Sequence, residues 1–166
     1  RHNEICSILL DDNHRVWLAT YHKGIMRSDM PYVQGKKLSF SKVDTGSGKS
    51  EETMLCALKD ADGNLWFGNI DGTLTVCHIR TGRFVVHSLL VDGVANRASV
   101  WALYMDNKNR LYVGTGDGLL LYNHQDNTCV KLSSERYLNE KRQPFIRAIV
   151  QTKDGTIWLG TSNMGV

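Results

Sequence analysis

The stretch Asp60–Gly72, reading DADGNLWFGNIDG, decides the fold of this chain. Asp62-Gly63 is a hairpin-turn dipeptide, because only Gly and a few polar residues take the positive φ of a tight β-turn. Leu65-Trp66-Phe67 is a wholly apolar run, too brief for a helix and, as a strand, buried on both faces. Gly68 stands where a side chain is expected, which in a strand marks close approach of another backbone. Asp71-Gly72 supplies a second turn and closes the unit.

The unit recurs. Trp17, Trp66, Tyr112 and Trp158 lie in the contexts RVWLAT, NLWFGN, RLYVGT and TIWLGT, at separations of 49, 46 and 46 residues. At equivalent positions in adjacent apolar strands they read as mostly buried core aromatics, not as a stacking platform for sugars. Ahead of each lies a second shared strand, Ile5–Leu10, Met54–Lys59, Val100–Met105 and Ile146–Gln151. Its third position is always small (Ser7, Cys56, Ala102, Ala148) and its fourth and fifth are apolar, the pattern of a strand covered on both sides by other sheets. After the aromatic come a small residue (Ala19, Gly68, Gly114, Gly160), a polar loop and a glycine (Gly24, Gly72, Gly118, Gly165). Because Ala19 occupies the small slot in the first copy, Ala is expected to be tolerated there throughout, and Val is not.

Two further strands complete each full copy. The third reads as Gly24–Arg27, Leu74–Ile79 and Gly118–Tyr122, the fourth as Leu38–Val43, Arg83–Leu89 and Thr128–Leu132. Four antiparallel strands in roughly 46 residues are the size of one β-propeller blade. No stretch shows sustained helical periodicity, so a helical repeat is excluded. The expectation is an all-β fold of four-stranded blades spanning residues 1–166, with repeats over about 1–53, 54–99 and 100–145 and an incomplete one at 146–166. Propellers close with four to eight blades. Three and a half make an open arc with an apolar face bare at each end, so the chain reads as part of a longer polypeptide that supplies the remaining blades.

Other signals are quiet. The formal charge is +3, and short basic pairs such as Lys36-Lys37 in loop-like stretches make no basic face, which argues against a nucleic-acid partner. The longest apolar run, Val100–Met105, is far too short to span a bilayer, so no membrane contact is expected of this segment. The chain starts at Arg1 without a signal-like segment, which reads as a processed or excised piece. Cys6, Cys56, Cys77 and Cys129 share no repeat position and no metal spacing, and read as small gap-filling residues. The six histidines (2, 14, 22, 78, 87 and 124) also lack metal spacing, so neither a metal nor a cofactor is assigned. Asp60, Asp62, Asp71 and Asp117 have no loop-closing Glu, and the matching slots hold Lys108 and Asn109; they are turn residues rather than calcium ligands.

The segments SILLDDNHRVWLAT, CALKDADGNLWFGNIDGTL, ALYMDNKNRLYVGTGDGLLLY and AIVQTKDGTIWLGT resemble the two-component regulator propeller repeat. The resemblance runs through all four copies. It departs where Asn13-His14 and Lys108-Asn109 replace Asp-Gly, and where the loops of copies one and four are one residue longer. It implies the periplasmic sensor region of a bacterial hybrid histidine kinase, anchored in the inner membrane and acting on an oligosaccharide signal; a homodimeric parent is compatible with it. The turn Asp60–Trp66 also resembles the Asp-box of sialidases. Such an enzyme needs converging arginines, and the spacing of Arg80, Arg83, Arg97, Arg136, Arg142 and Arg147 singles out no such set. No nucleophile elbow or triad appears, so no catalytic residue is assigned to this segment. The alternative to a ligand-sensing module is a protein-docking propeller scaffold, with a sialidase-like or lyase enzyme fragment ranking below it.

If the strands follow a blade, the loops between strands two and three and those entering strand one share a rim. That rim would carry Tyr21, His22 and Lys23, Ile70-Asp71, Arg97, Gly116-Asp117 and residues Arg142 to Pro144. At its inner edge Trp101 and Arg147 replace Cys6 and Leu55 at the second position of strand one, a pair suited to a polyhydroxylated or anionic ligand. Trp101, Arg147, Tyr21, His22 and Arg97 are therefore the candidate ligand-binding residues; simple filling of the channel is the competing account.

Overall fold

The computed structural model describes residues 4–48, 52–124, 126–132, 143–162 and 165. Among these residues sixteen strands form an arc of propeller blades. β1 (Ile5–Leu10), β2 (Val16–Thr20), β3 (Gly24–Ser28) and β4 (Phe40–Lys42) make the first sheet in sequence order. β5 (Met54–Lys59), β6 (Leu65–Asn69), β7 (Thr73–His78) and β8 (Arg83–Ser88) make the second. The third contains β11 (Val100–Met105), β12 (Leu111–Thr115), β13 (Gly118–Tyr122) and β14 (Thr128–Leu132), and β15 (Ile146–Gln151) pairs β16 (Ile157–Thr161) at the end of the arc. Each anticipated strand is present; the fourth strand of the first blade shortens from Leu38–Val43 to Phe40–Lys42.

One feature has no counterpart in the sequence pattern. The connector from the second to the third blade forms β9 (Leu90–Val91) and β10 (Val94–Ala95), and β9 pairs parallel to β14, extending the third sheet to six strands. Leu89 beside it is fully buried and clamps the connector to the core. Two-residue strands carry too few side chains to show a period.

The core lies between blades. Trp17, Ala19 and Ile25 meet Met54, Leu65, Phe67 and Cys77 across the first junction. Trp66, Leu74 and Val76 meet Leu111, Val113 and Leu120 across the second, and Tyr112 and Leu119 meet Ile146 across the third. Along β6, Leu65 and Phe67 thus face one neighbour while Trp66 faces the other, which is why this strand is apolar on both sides. In the first three copies the repeated aromatic points toward the following blade. Trp17, Trp66 and Tyr112 are buried, at 2%, 6% and 6% exposure, but Trp158 is 48% exposed. The expectation of four buried aromatics is corrected at Trp158, because no sheet among the described residues covers it. The strand-one expectation changes for the same reason: Ile5, Ile8 and Leu10 of β1 are exposed, since no sheet among the described residues packs on that side of it.

The small slot is tighter than the sequence suggested. A Cβ on Gly68 would lie 2.5 Å from Val100 Cγ1 and 2.5 Å from Cys56 Sγ, and one on Gly114 would lie 2.6 Å from Ile146 Cγ2. Alanine is therefore not tolerated across the set, contrary to the inference from Ala19. The reason is the facing residue. Ala19 shares its cluster with unbranched Met54, whereas Gly68 and Gly114 meet β-branched Val100 and Ile146, whose methyls cannot swing aside.

In the first three copies the turn between strands one and two is built on an aspartate six residues before the aromatic; in the fourth that place is held by Thr152. In Asp11 one carboxylate oxygen accepts the main-chain N–H groups of Asn13 and Arg15 while the other accepts Trp17 Nε1–H at 2.8 Å. Asp60 repeats this with Asp62, Asn64 and Trp66. At Asp106, where the aromatic is Tyr112, Arg110 Nε donates to the second oxygen instead, at 2.6 Å. His14 and Asn109 take φ of 59° and 60° at the site of Gly63 and Gly155. The N–H of each donates to the carbonyl three residues back, so one turn type serves all four copies despite the lost Asp-Gly pairs.

Candidate functional site

The rim anticipated from the sequence is assembled by hydrogen bonds that repeat from blade to blade. Tyr21 N–H donates to Glu4 O, Ile70 N–H to Thr53 O, Gly116 N–H to Ser99 O and Ser162 N–H to Phe145 O, tying each second-to-third turn to the start of strand one. Neighbouring blades are stitched on the same rim. Gly24 N–H donates to Glu52 O at 2.8 Å, Ser99 Oγ to Ile70 O at 2.7 Å, and Asn96 Nδ2 to Gly72 O at 3.1 Å.

Strand one enters this rim through a bulge in every copy. The register shifts between Ile5 and Ser7, Met54 and Cys56, Val100 and Ala102, and Ile146 and Ala148. The extra residue is the second position: Cys6, Leu55, Trp101 and Arg147. A bulge releases its residue from the ladder and re-aims the side chain, so this slot is one where sequence can vary without loss of pairing.

Trp101 and Arg147 come together there. The Arg147 guanidinium lies over the Trp101 ring, 4.0 Å from its centroid, and 5.1 Å from that of Phe145. The rings of Trp101 and Phe145 are 5.4 Å apart and tilted by 46°. Trp101 and Phe145 are half-buried, and Arg147 is exposed. Trp101 Nε1 is buried without a hydrogen-bond partner, the only such side-chain atom among the described residues. Arg147 makes no ion pair among them. Phe145 had not been singled out. Its signal was weak: an aromatic immediately before strand one, where the other copies carry Glu4, Thr53 and Ser99.

The remaining candidates stand apart from this cluster. Tyr21 and His22 pack edge-on to each other with ring centroids 4.7 Å apart, on the first blade. Arg97 lines a separate open groove of about 410 Å³ with Val94, Asp117 and Lys131, where Lys131 Nζ pairs with Asp117 at 2.9 Å. Arg142 and Arg136 lie outside the described residues, as does His2. Among the described residues no three His, Cys, Asp or Glu side chains gather closely enough to hold a metal ion. Asp60 is occupied by its own turn, and Asp71 Oδ1 accepts from Thr73.

Cys56, Cys77 and Cys129 are buried gap fillers, but Cys6 is exposed on β1, which corrects the gap-filling reading at that position. Burial pushes Cys56 and Cys129 up to about 12 and Cys77 up to about 11, so none is a ready thiolate. On the opposite rim Trp66, Tyr122 and His124 cluster at the second junction, and burial pulls His124 below the ordinary imidazole value. His87 Nδ1 and Tyr122 Oη both meet Asn127 Oδ1, at 2.8 and 2.7 Å, which locks the two blades together.

The sequence pattern of the family described as Two component regulator propeller matches residues 93–117 and 141–163, the repeat units that carry Trp101 and Arg147. The resemblance drawn from the repeats is thereby borne out on these stretches. Among solved structures, an extracellular domain assigned to a hybrid two-component system of B. thetaiotaomicron superposes over 97% of this chain with a TM-score of 0.74 at 17% identity. A second such domain from that organism covers 96% with a TM-score of 0.68 at 24% identity. The chain spans 23% and 20% of their respective lengths. Virginiamycin B lyase from Staphylococcus aureus also matches over 94% of this chain, with a TM-score of 0.64 at 12% identity, so the propeller itself serves both sensor domains and enzymes. No curated protein matches the chain in sequence. Among the described residues no helix is long and apolar enough to cross a membrane.

Proposed function

We propose that this chain is a segment of the ligand-sensing, periplasmic propeller region of a two-component histidine kinase anchored in the inner membrane. Its rim recognises a carbohydrate and performs no chemistry on it. The observation that carries this reading is the cluster Trp101–Phe145–Arg147, built at the bulge slot of repeat units that match the two-component regulator propeller. An aromatic pair with a cation that makes no ion pair among the described residues is a recognition surface, and no nucleophile and base for bond cleavage gather at it among those residues. Signalling follows from differential binding: ligand favours one arrangement of propellers over another and biases the attached transmitter.

Calorimetry of the complete extracellular region against a panel of oligosaccharides tests this, with Trp101→Ala and Arg147→Ala alongside. Binding that weakens at least tenfold in both variants is the expected result. Unchanged binding in both would remove these residues from the site. Conversion of any saccharide to product would replace the sensor reading with an enzymatic one, as in the lyases that share the fold.

A further inference from the structure

We infer that the Trp101–Phe145–Arg147 site takes an oxyanion, a carboxylate or sulfate group carried by an acidic sugar, rather than the face of a neutral one. This rests on the carbohydrate-sensing reading and narrows it. The side chains that meet here supply donors and no acceptor. Arginine offers a planar fork of N–H groups, and the indole nitrogen is donor-only. A sugar hydroxyl placed between them would find partners for its lone pairs but none for its own proton, whereas a carboxylate or sulfate only accepts.

The geometry adds two reasons. Stacking of Arg147 at 4.0 Å over Trp101 occupies the ring face that a neutral pyranose would use. The same contact restrains the guanidinium beside the ring, and no carboxylate among the described residues pairs with it, so its planar fork suits bidentate pairing with an oxyanion. Trp101 Nε1, meanwhile, is buried without an acceptor. A buried donor left unmade is costly, so an acceptor that reaches it is favoured beyond its pairing with Arg147. Reaching it requires side chains around the ring to move, so binding must register in the emission of Trp101.

The test uses the complete polypeptide and two probes. Inorganic sulfate is titrated while tryptophan emission is followed, and calorimetry compares acidic oligosaccharides with their methyl esters and with neutral oligosaccharides. The expected result is a saturable change in emission with sulfate and a preference of at least about tenfold for acid over ester, the scale of one charge-assisted hydrogen bond. Arg147→Gln should abolish both. Trp101→Phe, which keeps the ring but removes the N–H, should weaken acid binding severalfold and leave the esters unaffected. Circular dichroism confirms that each variant is folded, which the exposure of Arg147 favours. A sulfate response with no saccharide bound would uphold the oxyanion site and overturn the carbohydrate reading. Saccharides bound without acid preference or sulfate response would do the reverse.

Discussion

Replacing Gly68 by alanine adds one methyl group, and the structure gives its consequences. The new Cβ would stand 2.5 Å from both Val100 Cγ1 and Cys56 Sγ. Carbon atoms pack at about 3.5–4.0 Å, so the two blades must part locally by roughly 1 Å or force off-rotamer side chains. Overpacking of this kind costs about 1–3 kcal/mol, offset by about 0.4–1 kcal/mol from the reduced freedom of the unfolded chain. The expected net loss is about 1–2 kcal/mol, read as a lower urea midpoint with an unchanged slope. Gly160 is the internal control, because a Cβ there meets Ala148 Cβ at 3.3 Å and nothing from a following blade. Gly160→Ala should fall within about 0.5 kcal/mol of the parent. The decisive measurement is the cycle with Val100→Met, which installs the unbranched residue found opposite Ala19. The double variant should recover about 1 kcal/mol relative to additivity. Equal midpoints for Gly68→Ala and Gly160→Ala, or no coupling to position 100, would refute the account of the small slot.

Two further outcomes follow from the turns. Burial would raise the Asp106 carboxyl, but hydrogen bonds from Arg110 and from the Lys108 N–H outweigh it and hold the group below the ordinary 3.8. A depressed carboxylate contributes stability above the unfolded-state value that is lost as pH falls through the folded one. Urea midpoints should therefore drop below about pH 4, and Asp106→Asn, weaker at pH 7, should drop less steeply there; parallel profiles would exclude the role. At the turn of the first blade, His14→Gly should raise stability by about 0.5 kcal/mol. It relieves about 1–2 kcal/mol of left-handed strain at φ 59° against about 0.4–1 kcal/mol of added unfolded-state freedom, and a thermal melt would show the gain.

The repeat was legible because a blade is built from local signals. Turn glycines and aspartates, the wholly apolar strand and the small residue after the aromatic each reflect a requirement met within a few residues, and each occurs at near-constant spacing. Pairing Trp101 with Arg147 was legible for the same reason: both fill the second position of strand one, so blades that pack side by side bring them together. Phe145 was missed because it precedes the strand, outside the repeated pattern. Missed too was the bulge, since an unpaired residue leaves no mark on the alternation of side chains when both strand faces are apolar.

What the tertiary structure decided was everything that depends on the facing blade. Whether alanine fits at the small slot is set by the residue opposite, Met54 in one junction and Val100 or Ile146 in the next, some thirty residues along the chain. Whether a repeated aromatic is buried depends on a covering sheet, which Trp17, Trp66 and Tyr112 have and which no described residue supplies to Trp158. The contact of Arg147 with the face of Trp101, on which the proposed oxyanion preference rests, likewise required the placement of the third blade against the fourth. Sequence alone determined the blade, because its period and turns are local; packing between blades determined which side chains are free to act, because that contact joins residues no local pattern connects.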